Sequence, residues 1–214
     1  MIQITPYCLP DKKLIEGNGK GFLIWVPDKN YVVLGASNLP EEALFVENVL
    51  KDNVAVMKRP SGGQAVVLTP NNLIISVAFT GKRIVQPKAI FRYANLLIIS
   101  ALEDEGITGL SMMGISDLAI SGKKVLGSAM YRNKDKLIYH AVLNLGEPAA
   151  TFEKYLKHPV KEPDYRQGRK HVDFVSSLKE SGYSGNYTKA IHKLSHCLNV
   201  YPGQEKYYQI NKLS

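Results

Sequence analysis

The sequence predicts an α+β fold, a mixed or antiparallel sheet flanked by helices. Short β-branched and aromatic runs, among them GFLIWV, YVVLG and LIISVAF, are separated by turn residues. One long segment, Pro87 to Glu105, carries Ile90, Tyr93, Ala94, Leu97, Ala101 and Leu102 at helical spacing. The final third of the chain has mostly helical patterns. Runs of strands with helices between and after them fit α+β better than the regular alternation of a doubly wound sheet.

In chain order, Gly21 to Val26 and Tyr31 to Gly35 are expected as strands joined by the turn Pro27-Asp28-Lys29-Asn30. Pro40 to Asp52 is expected as one helix. Pro40 suits its first position, Glu41 and Glu42 suit the positive end of its dipole, and Ala43, Phe45, Val46 and Leu50 share a face. Val54 to Lys58 and Ala65 to Leu68 are β-prone runs on either side of an SGGQ turn, and Leu73 to Phe79 reads as a central strand. After the long helix come strands at Ile115–Ile120, Lys124–Tyr131 and Leu137–Leu145. Their turns fall at Gly122-Lys123 and Asn133-Lys134-Asp135. Helices are expected at Ala150–Leu156, Lys170–Leu178 and Tyr187–Leu198.

Composition narrows the function classes. Of 214 residues 45% are hydrophobic and 21% charged, which excludes a disordered or coiled-coil chain. No apolar run approaches the roughly 20 residues of a membrane span. The N-terminal stretch has no apolar signal core. Cys8 and Cys197 make neither a disulfide framework nor a metal-ligand spacing. A cytoplasmic protein is the expectation. The formal charge of +8 favours acidic partners, or is simply a basic surface. No nucleic-acid motif is present.

Three segments can carry chemistry. In Lys58-Arg59-Pro60-Ser61-Gly62-Gly63-Gln64-Ala65 a basic pair precedes paired glycines, which let backbone N–H groups approach an anion; the same stretch also reads as an ordinary hairpin turn. It is not a Walker loop. In the second segment, Asp117 begins a β-run, Lys124 follows a glycine turn, and Gly127-Ser128-Ala129 leave room for a ligand. Strand alternation sends Lys123 and Lys124 to opposite faces. The third segment places His140 in the strand Tyr139 to Leu143.

Taken in order, these segments resemble the lipoate–protein ligase family, which includes lipoyl and octanoyl transferases and is related in fold to biotin ligases. KRPSGGQAV at 58–66 resembles its glycine-rich motif. Ser116-Asp117-Leu118 followed by GKKVLGSA at 122–129 resembles its second motif, and His140-Ala141-Val142-Leu143 its third. YVVLGASN at 31–38 and KEPDYRQGRKHVDF at 161–174 extend the resemblance over roughly residues 20–180. The chain departs from the family pattern at Leu68, Thr69, Ser116 and Val142.

The resemblance implies an enzyme that activates lipoate with ATP to lipoyl-adenylate and passes the lipoyl group to a lysine of an acceptor domain. It assigns Lys124 as the cation that bridges carboxylate and α-phosphate. It gives Asp117 to Mg²⁺ or to the incoming lysine. Lys58, Arg59, Ser61, Gly62, Gly63, Gln64 and Ala65 would form the acyl-binding loop, with Gly127, Ser128, Ala129 and His140 lining the same pocket. Ser37, Asn38 and Asn72 would contact the nucleotide. The expected partner is an acidic lipoyl-type acceptor domain, with a separate accessory subunit as a further candidate, and neither nucleic acid nor membrane. Residues 1–214 are expected to form one catalytic domain, with its core at about 20–180, a helical segment at 181–214 and no C-terminal accessory domain. An ATP-independent octanoyl or lipoyl transferase and a catalytically silent acyl-binding protein are the alternatives. Residues 111–146 contain no cysteine to carry a thioester, which favours the ligase.

Overall fold

The computed structural model describes residues 2–17, 21–80, 87–134, 136–183, 185 and 187–200. Two sheets stack face to face. The larger is six-stranded and antiparallel, built from β2 (Gly21–Trp25), β6 (Asn72–Thr80), β7 (Leu110–Met113), β8 (Asp117–Ile120), β9 (Lys123–Arg132) and β10 (Lys136–Asn144) in the order β2-β6-β10-β9-β8-β7. The smaller has the order β1-β4-β3-β5, from β1 (Ile4–Pro6), β3 (Tyr31–Leu34), β4 (Ala55–Lys58) and β5 (Val66–Leu68). In it β4 runs parallel to both β1 and β3, while β5 is antiparallel to β3.

The period of two along each strand sorts side chains between three apolar layers. Phe22, Ile24, Leu73, Ile75, Val77, Leu137, Tyr139 and Leu143 pack on the outer helices α4 (Pro87–Glu103) and α7 (Thr188–Val200). Leu23, Trp25, Ile74, Ala78 and Ile138 face the small sheet, where they meet Tyr31, Val33, Met57 and Leu68. Val32, Leu34, Val56 and Val67 turn the other way, onto Val49 of α3 (Val46–Lys51) and onto Phe152 and Tyr155 of α5 (Ala149–Tyr155). Strands buried on both faces read as unbroken apolar runs. LIISVAF therefore marked a central strand.

Several elements differ from the sequence expectation. The helix expected over 40–52 is two short ones, α2 (Pro40–Ala43) and α3. Leu44 leaves the helix to bridge Leu156, and Phe45 N–H donates to the Tyr155 carbonyl at 2.9 Å. The break shifts the helical phase, so Val49 is buried and Leu50 is 51% exposed. The strand expected from Ile115 begins at Asp117; Ile115 is exposed in the turn from β7, a strand that the sequence reading left out. The helix expected over 170–178 is confined to α6 (His171–Phe174). There Val175 pairs with Lys124 instead, and Ser176 N–H donates to the Lys124 carbonyl at 2.9 Å. The short α1 (Lys12–Glu16) and β1 were also not anticipated. Of the expected turns and C-terminal helical segment, Asp135 and residues 201–214 lie outside the described residues.

Candidate functional site

A cleft of about 1070 Å³ opens where the two sheets meet. The glycine loop and β3–α2 loop wall it on the small-sheet side. The β8–β9 hairpin and His140 of β10 wall it on the other, and residues 157–166 pass across its mouth. The three sequence segments, far apart in the chain, therefore converge.

The hairpin turns at Ser121 (φ 49°) and Gly122 (φ 74°), the pair of positive φ values that a tight two-residue turn requires. Lys123 then points to solvent and Lys124 to the cleft. A β-bulge follows: Leu118 pairs with Leu126 while Ala119 pairs with Lys124, so Val125 is an extra residue on β9. In a regular strand residues 124 and 127 would lie on opposite faces. The bulge resets the phase and re-aims the side chain. A Cβ placed on Gly127 would lie 2.6 Å from both Cε and Nζ of Lys124. Gly127 thus provides the room in which this lysine lies.

Lys124 Nζ makes a 2.9 Å ion pair with Asp117 Oδ1, and Tyr165 OH donates to Asp117 Oδ2 at 2.9 Å. Burial and the adjacent Asp117 carboxylate raise the Tyr165 phenol well above its ordinary pKa, so it stays a donor. Tyr165 also packs on the Phe174 ring, with centroids 5.0 Å apart. Sequence reasoning missed this tyrosine because its partner lies in another segment. Ser128 Oγ donates to the Ser116 carbonyl at 2.8 Å, which fixes the hairpin's base.

The glycine loop divides into a frame and a face. Arg59 is almost fully buried, and its guanidinium donates to Ser61 Oγ (2.9 Å), to the Val33 carbonyl (3.1 Å) and to the carbonyls of Gly62 and Gln64 (both 2.8 Å). Burial lowers its pKa to about 10, which leaves it charged at neutral pH. Four of its five N–H donors are thus taken up within the protein, three by its own loop and one by β3, so Arg59 braces the loop while it lines the cleft. Gly63, at φ 92°, faces the cleft, and a Cβ there would meet Arg59 Nη2 at 3.1 Å and Ala129 Cβ at 3.6 Å. Gln64 donates from Nε2 to the Lys161 carbonyl at 3.3 Å and so ties this loop to the segment across the mouth. Ala65 lines the wall beside it.

Of the expected nucleotide contacts, Ser37 and Asn38 lie at the mouth. Asn38 Oδ1 accepts from Gly35 N–H at 2.8 Å, and Lys58 Nζ reaches the Asn38 carbonyl at 3.3 Å. Lys58 thus serves the loop edge. Asn72 is fully buried: its Oδ1 accepts from Thr69 N–H at 2.9 Å and its Nδ2 donates to Asn144 at 3.3 Å. These bonds anchor the start of β6, and Asn72 is not among the residues that line the cleft. His140 Nε2 lies 2.8 Å from Ser61 Oγ, behind the glycine loop.

Among the described residues no three His, Cys, Asp or Glu side chains converge as a metal cage. Asp117 accepts one bond on each oxygen and keeps further lone pairs. That suits the way Mg²⁺ is commonly bound, by one carboxylate plus the phosphates of a substrate.

Two sheets meeting over a cleft walled by a glycine loop and a lysine-bearing hairpin define an α+β domain with a ligand-sized site between its sheets. Residues 11–197 match the lipoyl protein ligase A/B catalytic domain, and the chain belongs to that family. Lipoate-protein ligase A of Psychrobacter cryohalolentis is 30% identical over 133 residues, covering 61% of this chain and 37% of that protein. This chain thus spans well under half the length of the curated relatives it matches. Among solved structures, a lipoate-protein ligase A bound with ATP superposes with a TM-score of 0.73 at 14% identity, over 99% of this chain and 89% of that one. The bipartite lipoate protein ligase of Thermoplasma acidophilum, studied with its E2 lipoyl domain, gives 0.73 at 15% identity, over 99% and 87%. These superpositions establish the shared fold. No helix among the described residues is long and apolar enough to cross a membrane.

Proposed function

We propose that this chain is the catalytic domain of a lipoate–protein ligase, which activates lipoate with ATP and transfers the lipoyl group to a lysine of an acceptor domain. One observation supports this most: Lys124 Nζ is held at the cleft wall by Asp117, in space left by Gly127, opposite the face of the glycine loop. A lipoate carboxylate and the α-phosphate of ATP repel each other. A preorganised ammonium beside both offsets that repulsion and the charge that grows in the transition state. Gly63, Ala65 and Ala129 supply a smooth, side-chain-poor wall for an acyl chain. Asp117 holds Lys124 in place and, with the phosphates, would hold Mg²⁺, whose charge further offsets theirs. The fold superposition on an ATP-bound ligase and the family membership support the same reading.

The acceptor is proposed to be an acidic lipoyl-type domain, because a chain with a net charge of +8 attracts negative partners. We further propose that residues 1–214 act as one catalytic unit, with an accessory subunit as a candidate partner. The relationship to the bipartite archaeal ligase favours that arrangement.

Purified protein incubated with lipoate and Mg-ATP should retain lipoyl-adenylate detectable by mass spectrometry. Absence of the adenylate, together with an acyl adduct on cysteine after incubation with an acyl-carrier thioester, would replace the ligase by a transferase. Among the described residues that line the cleft there is no cysteine; Cys8 is exposed and contacts Met57, and Cys197 lies on α7. The double variant Cys8→Ser, Cys197→Ser should therefore keep its adenylation rate within about twofold, as expected of substitutions away from the reacting groups. A folded but inactive double variant would contradict this.

A further inference from the structure

The layer between the sheets is largely apolar, and a cluster of polar groups is buried in it. Asp11, at the N-terminus of α1, is fully buried there, and both of its oxygens accept hydrogen bonds: Oδ1 from Tyr7 OH at 2.6 Å and Oδ2 from Ser76 Oγ at 2.7 Å. A buried carboxylate is costly unless so satisfied. Burial alone would raise its pKa, but His140, Tyr7 and Ser76 outweigh burial and hold it below its ordinary value. Its position is fixed from the other end of α1 as well. Lys136 of β10 reaches the carbonyls of Leu14 (2.9 Å), Ile15 and Gly17 and so caps the helix C-terminus.

Ser76 and His140 are directly opposed across β6 and β10. His140 Nδ1 stands 3.8 Å from Asp11 Oδ2, and its Nε2 lies 2.8 Å from Ser61 Oγ. Ser61 Oγ already accepts from Arg59 Nε, so the Ser61 hydroxyl hydrogen is available for His140 Nε2. With Nε2 accepting that hydrogen, the ring proton sits on Nδ1, toward Asp11, the tautomer that the neighbouring carboxylate favours. The order is Asp11, His140, Ser61, Arg59, with a buried negative group at one end and a buried positive one at the other. Ser61 is itself 1% exposed, which rules it out as a nucleophile meeting substrate.

We propose that Asp11 is a positioning residue: through His140 and Ser61 it sets the orientation of Arg59, and Arg59 sets the carbonyls of Gly62 and Gln64 and hence the cleft-facing backbone of Gly63. The inference deepens the ligase reading and rests on it only for its consequence in acyl binding. The relay itself belongs to the folded chain, with or without a substrate.

The test uses the full chain with ¹⁵N-labelled histidine, alongside Asp11→Asn and Ser61→Ala. The wild type should show His140 with its proton on Nδ1. In Asp11→Asn the new amide donates toward Nδ1 and the ring proton moves to Nε2, as happens when the carboxylate of a histidine–aspartate pair is replaced by an amide. Backbone amides of residues 62–65 should then exchange with solvent about tenfold faster in both variants, a local opening without global unfolding. Titrated lipoate should bind about tenfold more weakly, an expected loss of preorganisation. A His140 tautomer unchanged in Asp11→Asn, or loop exchange at the wild-type rate in both variants, would overturn the relay. If the wild type itself failed to bind lipoate, the ligase reading would fall, while the tautomer and exchange rates would still decide the relay. Should Asp11→Asn not fold, Ser61→Ala decides it alone, through the loop exchange rate.

Discussion

Lys124→Ala is expected to slow single-turnover adenylation by roughly 10²–10³, about 3–4 kcal/mol of transition-state stabilisation, the usual cost of removing one preorganised donor. Lys123→Ala, one residue away, is expected to change the rate by only about twofold, because that side chain points to solvent and contributes only to the distant field. Lys124→Arg should also fail. The planar guanidinium is no substitute for a compact ammonium between two anions, and the space beside Gly127 is sized for the lysine end. Gly127→Ala reports on the same geometry from the other side. Its methyl would stand 2.6 Å from Lys124 Nζ, so the flexible lysine end must leave while the fold survives. That variant should lose activity much as Lys124→Ala does, with a melting temperature close to wild type. Equal behaviour of Lys123→Ala and Lys124→Ala would place the chemistry elsewhere.

The glycine loop gives the second large effect, and the structure separates residues that the sequence groups together. Gly63→Val should abolish lipoate binding in a calorimetric titration. A β-branched residue is strained at φ 92°, at a cost of about 1–3 kcal/mol, and its side chain would project between Arg59 and Ala129. Gly62→Ala should bind lipoate as the wild type does, since nothing lies within 4 Å of a Cβ at that position. Gly35→Ala should resemble Gly63→Val although residue 35 lies in another segment, just after β3. Its Cβ would fall 2.1 Å from the Gly63 carbonyl oxygen, a backbone atom that must move and take the loop with it. Wild-type affinity in both Gly63→Val and Gly35→Ala would remove the loop from the acyl site.

The parts of this protein legible in its sequence are those where one local pattern decides the outcome. Apolar runs such as 73–79 and 137–145 are strands because both faces are buried, and α4 follows from its helical period. The division of Lys123 from Lys124 followed from alternation alone. What was illegible depends on long-range partners. The helix break at Leu44 follows from its bridge to Leu156, more than a hundred residues on. β1 is exposed along its length and carries no apolar signal, so its pairing with β4 could not be read. The bulge at Val125 that brings Lys124 beside Gly127 has no local mark. Asp11 looks like any polar residue before a short helix, and only Ser76 and His140, from the middle of two strands, make it part of the site. Arg59 shows the converse. Its motif suggested a ligand, and nothing in the sequence signals that four of its five donors bind within the protein.

The most direct measurement is a crystal structure of the full chain with a non-hydrolysable lipoyl-adenylate mimic. The account predicts that the linker between acyl group and phosphate lies within hydrogen-bond distance of Lys124 Nζ, about 3 Å, with the acyl chain running along Gly63 and Ala129. A linker bound elsewhere, with Lys124 still paired only to Asp117, would contradict it.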